Sequence, residues 1–268
     1  MKGSNTDRIR AGAEAIDLKG RGFRGALLLH GFGDTPQTLR LLALRLKKDG
    51  YAVRAPLLPG HGRTMAAFTA SGADDWLDAA RSELLEMRRQ KSSVALVGLS
   101  MGGAIATILA AEYPDIPALA LIAPYLAMQR HVAIAASVHL AWGKFAGEID
   151  GSSPRSILDP KERKKNLAYG SVTGGTLHQL LRVVRMAKRA LPGVRSPTLL
   201  IQSREDPRCS PRTARGAIAS LGSSEKKLVM TTGAGHVITV DYGREKVFDE
   251  VSSWLTLHRG EGTTAASP

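Results

Sequence analysis

Short apolar runs alternate along the chain with longer stretches in which apolar residues recur every three or four positions. The stretch after Thr35, where Leu39, Leu42 and Leu46 share one helical face, is typical of the predicted helices. Strands that are apolar throughout are typical of a parallel sheet covered on both faces. The pattern therefore predicts an α/β fold with a mostly parallel central sheet flanked by helices. The predicted strands are residues 26–29, 51–55, 94–97, 118–123, 198–202 and 227–230, with an edge strand at 15–18.

Two helix ends can be placed from their boundary residues. Asp74 or Asp75 is a candidate N-cap for a helix that runs to about Arg89. Pro114 ends the helix that follows the strand at 94–97, because proline cannot continue a helical hydrogen-bond ladder.

The stretch from 125 to 195 interrupts the alternation. It contains no clear strand, its part from 132 to 145 is apolar enough for a helix, and residues 151–195 hold ten lysines and arginines against two acidic residues. We therefore predict an α/β core at 1–124 and 196–258, an inserted and mainly helical cap at 125–195, and a flexible tail at 259–268, which is rich in small residues.

Composition and charge exclude several classes of protein. The 268 residues are 43% apolar and 23% charged, which argues against disorder. The formal net charge of +13 favours contact with acidic surfaces, but with 5% aromatic residues and no nucleic-acid motif we expect no nucleic-acid partner. The single cysteine, Cys209, and the absence of paired histidines at ligand spacing predict neither a metal nor another cofactor. With no signal peptide or apolar run of spanning length, we expect a cytoplasmic protein.

The segment from 94 to 103 predicts catalytic chemistry. It is an apolar strand, then Gly-x-Ser-x-Gly with Ser100 at its centre, then a helix. A sharp turn between a strand and a helix exposes a serine hydroxyl, and glycines at 98 and 102 let neighbouring chain pass close to it. One rival interpretation is a glycine-rich turn that only packs a helix on a strand. The other is a phosphate-binding turn, but it requires an acidic residue at the end of the next strand, where Leu121–Pro124 has none.

The remaining parts of a serine hydrolase site follow in the order that this scaffold requires. Asp206 follows the strand at 198–202, and His236 follows the last strand. We expect His236 to take the proton from Ser100 and Asp206 to orient the imidazole; Glu205 is the competing acid. The backbone N–H groups of Phe32, after the first buried strand, and of Met101 are the candidate oxyanion hole.

Six stretches together resemble a known family. They are LLLHGFGD at 27–34, PGHG at 59–62, GADDW at 72–76, GLSMGG at 98–103, SRED at 203–206 and GHVITVD at 235–241. The chain is similar to α/β-hydrolases, and among them to small bacterial carboxylesterases and monoacylglycerol lipases. The resemblance implies an α/β-hydrolase fold with a cap over the site, Ser100, Asp206 and His236 as the triad, and Phe32 and Met101 as the oxyanion hole.

The expected activity is hydrolysis of short- to medium-chain acyl esters, including monoacylglycerols, through an acyl-enzyme on Ser100. Acyl transfer, thioester hydrolysis and carbon–carbon bond hydrolysis use the same machinery, and a non-catalytic binding protein on this fold is a further alternative. The expected partner is a small-molecule ester or lipid. The basic cap surface is either a solvated face that keeps the protein soluble or a site of transient contact with an anionic lipid surface. The apolar face of the cap, with Val132, Ile134, Leu140 and Trp142 as candidates, is expected to point toward the pocket.

Overall fold

A seven-stranded sheet lies at the centre of the computed structural model, which describes residues 8–260. All neighbouring strands are parallel except the first two in the spatial order, which confirms the mostly parallel sheet predicted from the sequence. The strands are β1 (Ile16–Leu18), β2 (Arg24–Leu29), β3 (Ala52–Ala55), β4 (Ser93–Leu99), β5 (Leu119–Ile122), β8 (Thr198–Ser203) and β9 (Lys226–Thr231). Their spatial order is β1-β3-β2-β4-β5-β8-β9, and a separate pair is formed by β6 (Ile149–Asp150) and β7 (Ser171–Val172).

Ten α-helices lie in the described part of the chain. They are α1 (Arg40–Lys48), α2 (Met65–Thr69), α3 (Ala73–Gln90), α4 (Met101–Glu112), α5 (Arg130–Ser137), α6 (His139–Ala146), α7 (Pro160–Lys165), α8 (Gly174–Ala190), α9 (Pro211–Ser220) and α10 (Arg244–Leu257). Short 3-10 turns occupy Pro36–Leu39, Pro154–Ser156 and Leu191–Gly193.

The sheet separates two apolar layers because successive side chains of a strand point to opposite faces. In β2, Leu27 and Leu29 pack toward α3, α4 and α9, whereas Ala26 and Leu28 pack toward α1 and α10. Both faces of the central strands are therefore covered by apolar side chains. The free carboxyl ends of the parallel strands are where loops can present polar groups without disturbing this packing.

The insertion between β5 and β8 differs from its predicted form in two respects. It contains the two-residue ladder β6–β7, where no strand is expected. Its apolar stretch is two helices, α5 and α6, separated at Val138. The side chains of Ile134 and Leu140 are 57% and 75% exposed, and the orientation of the apolar cap face toward the pocket stays a prediction. The last helix of the insertion, α8, packs on α4 and joins the core. The cap boundary at 125–195 stays a prediction.

The N-terminus of α3 also differs from the expectation. The N-cap is Gly72, and its backbone N–H donates to the carboxylate of Asp75, which lies one turn inside the helix. Asp75 thus caps the helix from within rather than from the N-cap position.

Two further expectations concern the C-terminal tail and membrane-spanning helices. Most of the predicted flexible tail, residues 261–268, lies outside the described residues. Among residues 8–260, no helix combines the length and the apolar character needed to cross a bilayer.

Candidate active site

Ser100 lies in a strained turn between the end of β4 and the start of α4. Its backbone has φ 55° and ψ −118°, a region that costs energy for a residue with a side chain. The turn is tight because a Cβ on Gly98 would lie 2.3 Å from the carbonyl of Gly102, and one on Gly102 would lie 2.0 Å from that of Leu29. The backbone N–H of Ser100 donates to the carbonyl of Ile122 on β5 (3.0 Å), which fixes the turn to the sheet.

The three predicted triad residues meet at this turn. His236 Nε2 lies 2.8 Å from Ser100 Oγ, and His236 Nδ1 lies 2.8 Å from Asp206 Oδ2. With its proton on Nδ1, the imidazole donates to Asp206 and accepts from the serine hydroxyl, which is the arrangement that general-base catalysis needs. All three side chains are buried, so water competes little for these hydrogen bonds.

The carboxylate of Asp206 is held ionised by its hydrogen-bond partners. Burial alone would raise the pKa of Asp206, but the hydrogen bond and charge of His236, with the backbone N–H groups of Cys209 and Arg208, lower it below its ordinary value. Arg208 N and Cys209 N donate to Oδ1 at 2.7 and 3.0 Å, and Gln202 Nε2 donates to Oδ2 at 2.8 Å. The ionised form therefore persists beside His236.

Glu205, the competing acid, does not contact His236. Its Oε2 accepts from the hydroxyl of Ser203 (3.0 Å) and from the backbone N–H of Gly233 (3.2 Å). The structure thus places Asp206 rather than Glu205 against the imidazole. Glu205 instead links the two loops that carry Asp206 and His236.

The peptide between Gly31 and Phe32 is oriented by a buried histidine. His30 Nδ1 donates to the carbonyl of Gly31 (2.9 Å), and His30 Nε2 accepts from the backbone N–H of Leu58 (3.1 Å). Burial lowers the pKa of His30 to about 4, so the ring is neutral near pH 7. Because C=O and N–H point in opposite directions across a trans peptide, the N–H of Phe32 faces away from His30.

The N–H groups of Phe32 and Met101 are available to a ligand. Neither donates to a carbonyl or a side chain within the part of the chain that the structure describes. Met101 is the first residue of α4, where an N–H has no partner in its own helix and where the helix dipole favours negative charge. Gly31, next to Phe32, approaches Ser100 so closely that an added Cβ would lie 3.3 Å from the serine Cβ.

Several supporting residues have no counterpart in the sequence-based prediction. Gln202 donates to Asp206, Asp34 lies buried beside Gly31, and Asp241 hydrogen-bonds to the turn that carries His236. The stretches 27–34 and 235–241 include Asp34 and Asp241, but their motifs indicate no role for either residue. Gln202 is the penultimate residue of β8, and nothing in its neighbours signals a contact four residues ahead.

One group of side chains in the described residues has the composition of a metal site. Single ligand atoms of Asp206, Cys209 and His236 lie within 4.8 Å of one another. Two of these residues are already bonded to each other, and burial raises the pKa of the Cys209 thiol well above its ordinary value. A neutral thiol is a poor metal ligand, so the donor set fits a hydrogen-bonded triad better than a metal site.

Comparison with known proteins gives relatives over nearly the whole chain. A thermostable monoacylglycerol lipase of Bacillus sp. (strain H-257) is 30% identical over 252 residues, which are 94% of this chain and 98% of that protein. A carboxylesterase of Bacillus subtilis (strain 168) is 26% identical over 235 residues, 87% of this chain and 93% of that protein. These relatives confirm the resemblance to carboxylesterases and monoacylglycerol lipases.

Solved structures agree on the fold. A structure described with LipS and LipT, two metagenome-derived lipolytic enzymes, has a TM-score of 0.86 at 30% identity and covers 94% of this chain and 100% of its own. The Paleococcus ferrophilus monoacylglycerol lipase has a TM-score of 0.79 at 20% identity, covering 91% and 98%. The family model described as serine aminopeptidase, S33 matches residues 24–242. Since that match spans most of the sequence, the chain belongs to the serine aminopeptidase S33 family and has the α/β-hydrolase fold.

Proposed function

We propose that this protein is a serine hydrolase that cleaves carboxylic esters, with short- to medium-chain acyl esters and monoacylglycerols as substrates. The observation that carries the proposal is the continuous hydrogen-bond chain from Ser100 through His236 to Asp206. The relatives named monoacylglycerol lipase and carboxylesterase support ester hydrolysis over acyl transfer, carbon–carbon bond cleavage or a non-catalytic role.

The proposed reaction proceeds in two halves. His236 accepts the hydroxyl proton of Ser100 while Ser100 Oγ attacks the ester carbonyl, and the N–H groups of Phe32 and Met101 stabilise the resulting oxyanion. His236 then gives the proton to the departing alcohol, which leaves an acyl group on Ser100. Water attacks this acyl-enzyme with His236 as base, and His236 returns the proton to Ser100 Oγ as the acid is released. Asp206 stabilises the imidazolium in both halves.

Substitution of the nucleophile tests this function. Ser100→Ala should lower kcat for a p-nitrophenyl ester by a factor on the order of 10⁴–10⁶, and it should abolish labelling by a fluorophosphonate probe. The exposed Ser82 on α3 provides a matched control, since Ser82→Ala should leave both measurements unchanged. Turnover retained by a folded Ser100→Ala protein would place the nucleophile elsewhere.

A substrate panel separates the reaction classes. We expect p-nitrophenyl esters of increasing acyl length and a monoacylglycerol to be hydrolysed, with no comparable cleavage of an aminoacyl p-nitroanilide or a thioester. The panel includes an anilide because the matching family model is described as serine aminopeptidase, S33. Faster cleavage of the anilide than of any ester would contradict the proposed substrate class.

We further propose that α5 and α6 contact a lipid surface during catalysis. Four large apolar side chains of these helices and their junction are more than half exposed, and Phe145 is 91% exposed. The four are Ile134, Val138, Leu140 and Phe145. Exposed apolar groups next to the basic residues of 151–195 suit the boundary of an anionic bilayer, where the acyl substrate is also found.

The surface contact is tested by comparing the rate on a water-soluble substrate with the rate on a substrate held in a bilayer. The double variant Leu140→Ser/Phe145→Ser should lose several-fold activity on a monoacylglycerol in anionic vesicles at low salt, while its rate on a water-soluble ester stays unchanged. Leu44→Ser, at a half-exposed leucine on α1, is the matched control. Equal vesicle activity in the double variant and the control would refute the surface contact.

A further inference from the structure

The turn that carries His236 is attached to a segment of the insertion that is distant in sequence. The backbone N–H groups of His236 and Val237 both donate to the carbonyl of Ser156, at 2.8 and 2.9 Å. The contact is close, since a Cβ on Gly235 would lie 2.2 Å from the carbonyl of Arg155. The position of the imidazole therefore depends on the segment around Ser156 as well as on β9.

The carboxylate of Asp241 joins the same two pieces of chain. Its Oδ2 accepts from the N–H groups of Leu158 and Gly235, both at 2.7 Å, and its Oδ1 accepts from those of Asp159 and Tyr242, both at 2.9 Å. Asp241 is only 1% exposed. A carboxylate offers about four lone-pair sites, so four backbone donors use its full capacity in a site closed to water.

We propose that Asp241 is a positioning residue for His236, a role that rests on the proposed function. The N–H of Gly235 belongs to the residue just before His236, and the other bonds hold Leu158 and Asp159 beside the turn. Asp241 fixes where the imidazole lies relative to Ser100 Oγ without touching either group of the reaction. It also couples the insertion to catalysis, because movement of the segment at 156–159 moves the histidine.

Replacement of one oxygen by an amide breaks this arrangement selectively. In Asp241→Asn, the side-chain NH₂ group faces two backbone N–H donors that lose their acceptor, so the turn shifts while the buried volume is preserved. A displacement of about 1 Å between reacting groups costs on the order of 100-fold in rate. We expect kcat per titrated active site to fall about 10- to 100-fold, with KM within about threefold of the wild type.

The control is a carboxylate in the same insertion that contacts only its own loop. Asp150 accepts from the backbone N–H of Ser152 and is exposed, so Asp150→Asn should keep kcat per site. Active-site titration with a fluorophosphonate separates positioning from stability, because a merely structural role lowers the titrated fraction or Tm but not the turnover of each titrated site. An unchanged kcat per site in Asp241→Asn would overturn the proposal.

A second variant and a second readout keep the two proposals distinguishable. If Asp241→Asn does not fold, Asp241→Glu is tested instead, because it keeps the charge but moves the turn. We expect kcat per titrated site to fall about tenfold. An unchanged kcat per site would overturn the positioning role of Asp241. The ¹H NMR resonance of the proton between His236 Nδ1 and Asp206 requires no substrate. It should shift or broaden in the Asp241 variant, and an unaltered resonance overturns positioning even if the wild type cleaves no ester.

Discussion

The two turns that meet at the active site are held in different ways. The Ser100 turn is fixed by backbone: β4 and α4 on either side, the two glycines that allow close backbone approach, and the hydrogen bond to the carbonyl of Ile122. The His236 turn depends on the carbonyl of Ser156, which is distant in sequence, and on the carboxylate of Asp241, which ties the turn to the same distant segment. The nucleophile is thus placed by backbone geometry, whereas the base is placed by hydrogen bonds that single side-chain changes can remove.

The largest loss of activity should come from removing the charge beside His236. In Asp206→Asn, an amide no longer enforces the tautomer with the proton on Nδ1, and Oδ2 no longer stabilises the imidazolium. We expect kcat to fall about 10⁴-fold, as measured with a p-nitrophenyl ester, while circular dichroism shows an intact fold. A loss of less than about tenfold would show that another group orients the imidazole.

Damage to the Ser100 turn should cost less activity but more stability. In Gly102→Ala the new Cβ lies 2.0 Å from the carbonyl of Leu29 and 2.6 Å from that of His30, so α4 must move away from β2. We expect the free energy of unfolding to fall by about 2–3 kcal/mol in urea titrations, and kcat to fall about 100-fold.

A helical glycine with free space around it supplies the control for that change. A Cβ on Gly216, in α9, meets nothing within 4 Å, and Gly216→Ala should stabilise the protein by up to about 1 kcal/mol. Equal stability of the two alanine variants would contradict the close-packed turn.

The same contrast explains how far the sequence predicts the structure. The strands that hold Ser100 are predicted within one or two residues, since buried strands and helices have distinct hydrophobic periods. The two-residue strands β6 and β7 are too short to show a period, and no glycine or proline marks the break at Val138. The contacts of Asp241 depend on where the insertion packs, which no local pattern in the sequence encodes.

The loop beside the Ser100 turn contains a buried carboxyl group that makes stability depend on pH. Burial raises the pKa of Asp34 to about 6, although hydrogen bonds from Thr38 and Thr35 and the charge of His236 act in the opposite direction. Between about pH 4 and pH 6 the unfolded chain has lost a proton that the folded protein keeps, so stability falls as pH rises through this range.

Asp34→Asn tests this assignment because an amide does not titrate. The wild type should lose about 3 kcal/mol relative to the variant between pH 4 and pH 6, and no more above pH 6. Urea titrations at several pH values measure the difference. Parallel stability curves for the two proteins would show that Asp34 ionises normally in the folded state.

The smallest loss of activity should come from substituting Glu205, the residue next to Asp206. Its Oε2 links Ser203 to Gly233, and the glutamine in Glu205→Gln keeps one oxygen that can accept from either donor. We expect kcat within about threefold of the wild type and a stability loss of at most about 1 kcal/mol, measured as for Asp206→Asn. The pair is a matched test of adjacent carboxyls, since both changes exchange one oxygen for an NH₂ group in the same loop. If Glu205→Gln lowered kcat as far as Asp206→Asn, the position of His236 would depend on the whole loop rather than on one carboxylate. The contrast between a turn placed by backbone geometry and a turn placed by single side chains would then not hold.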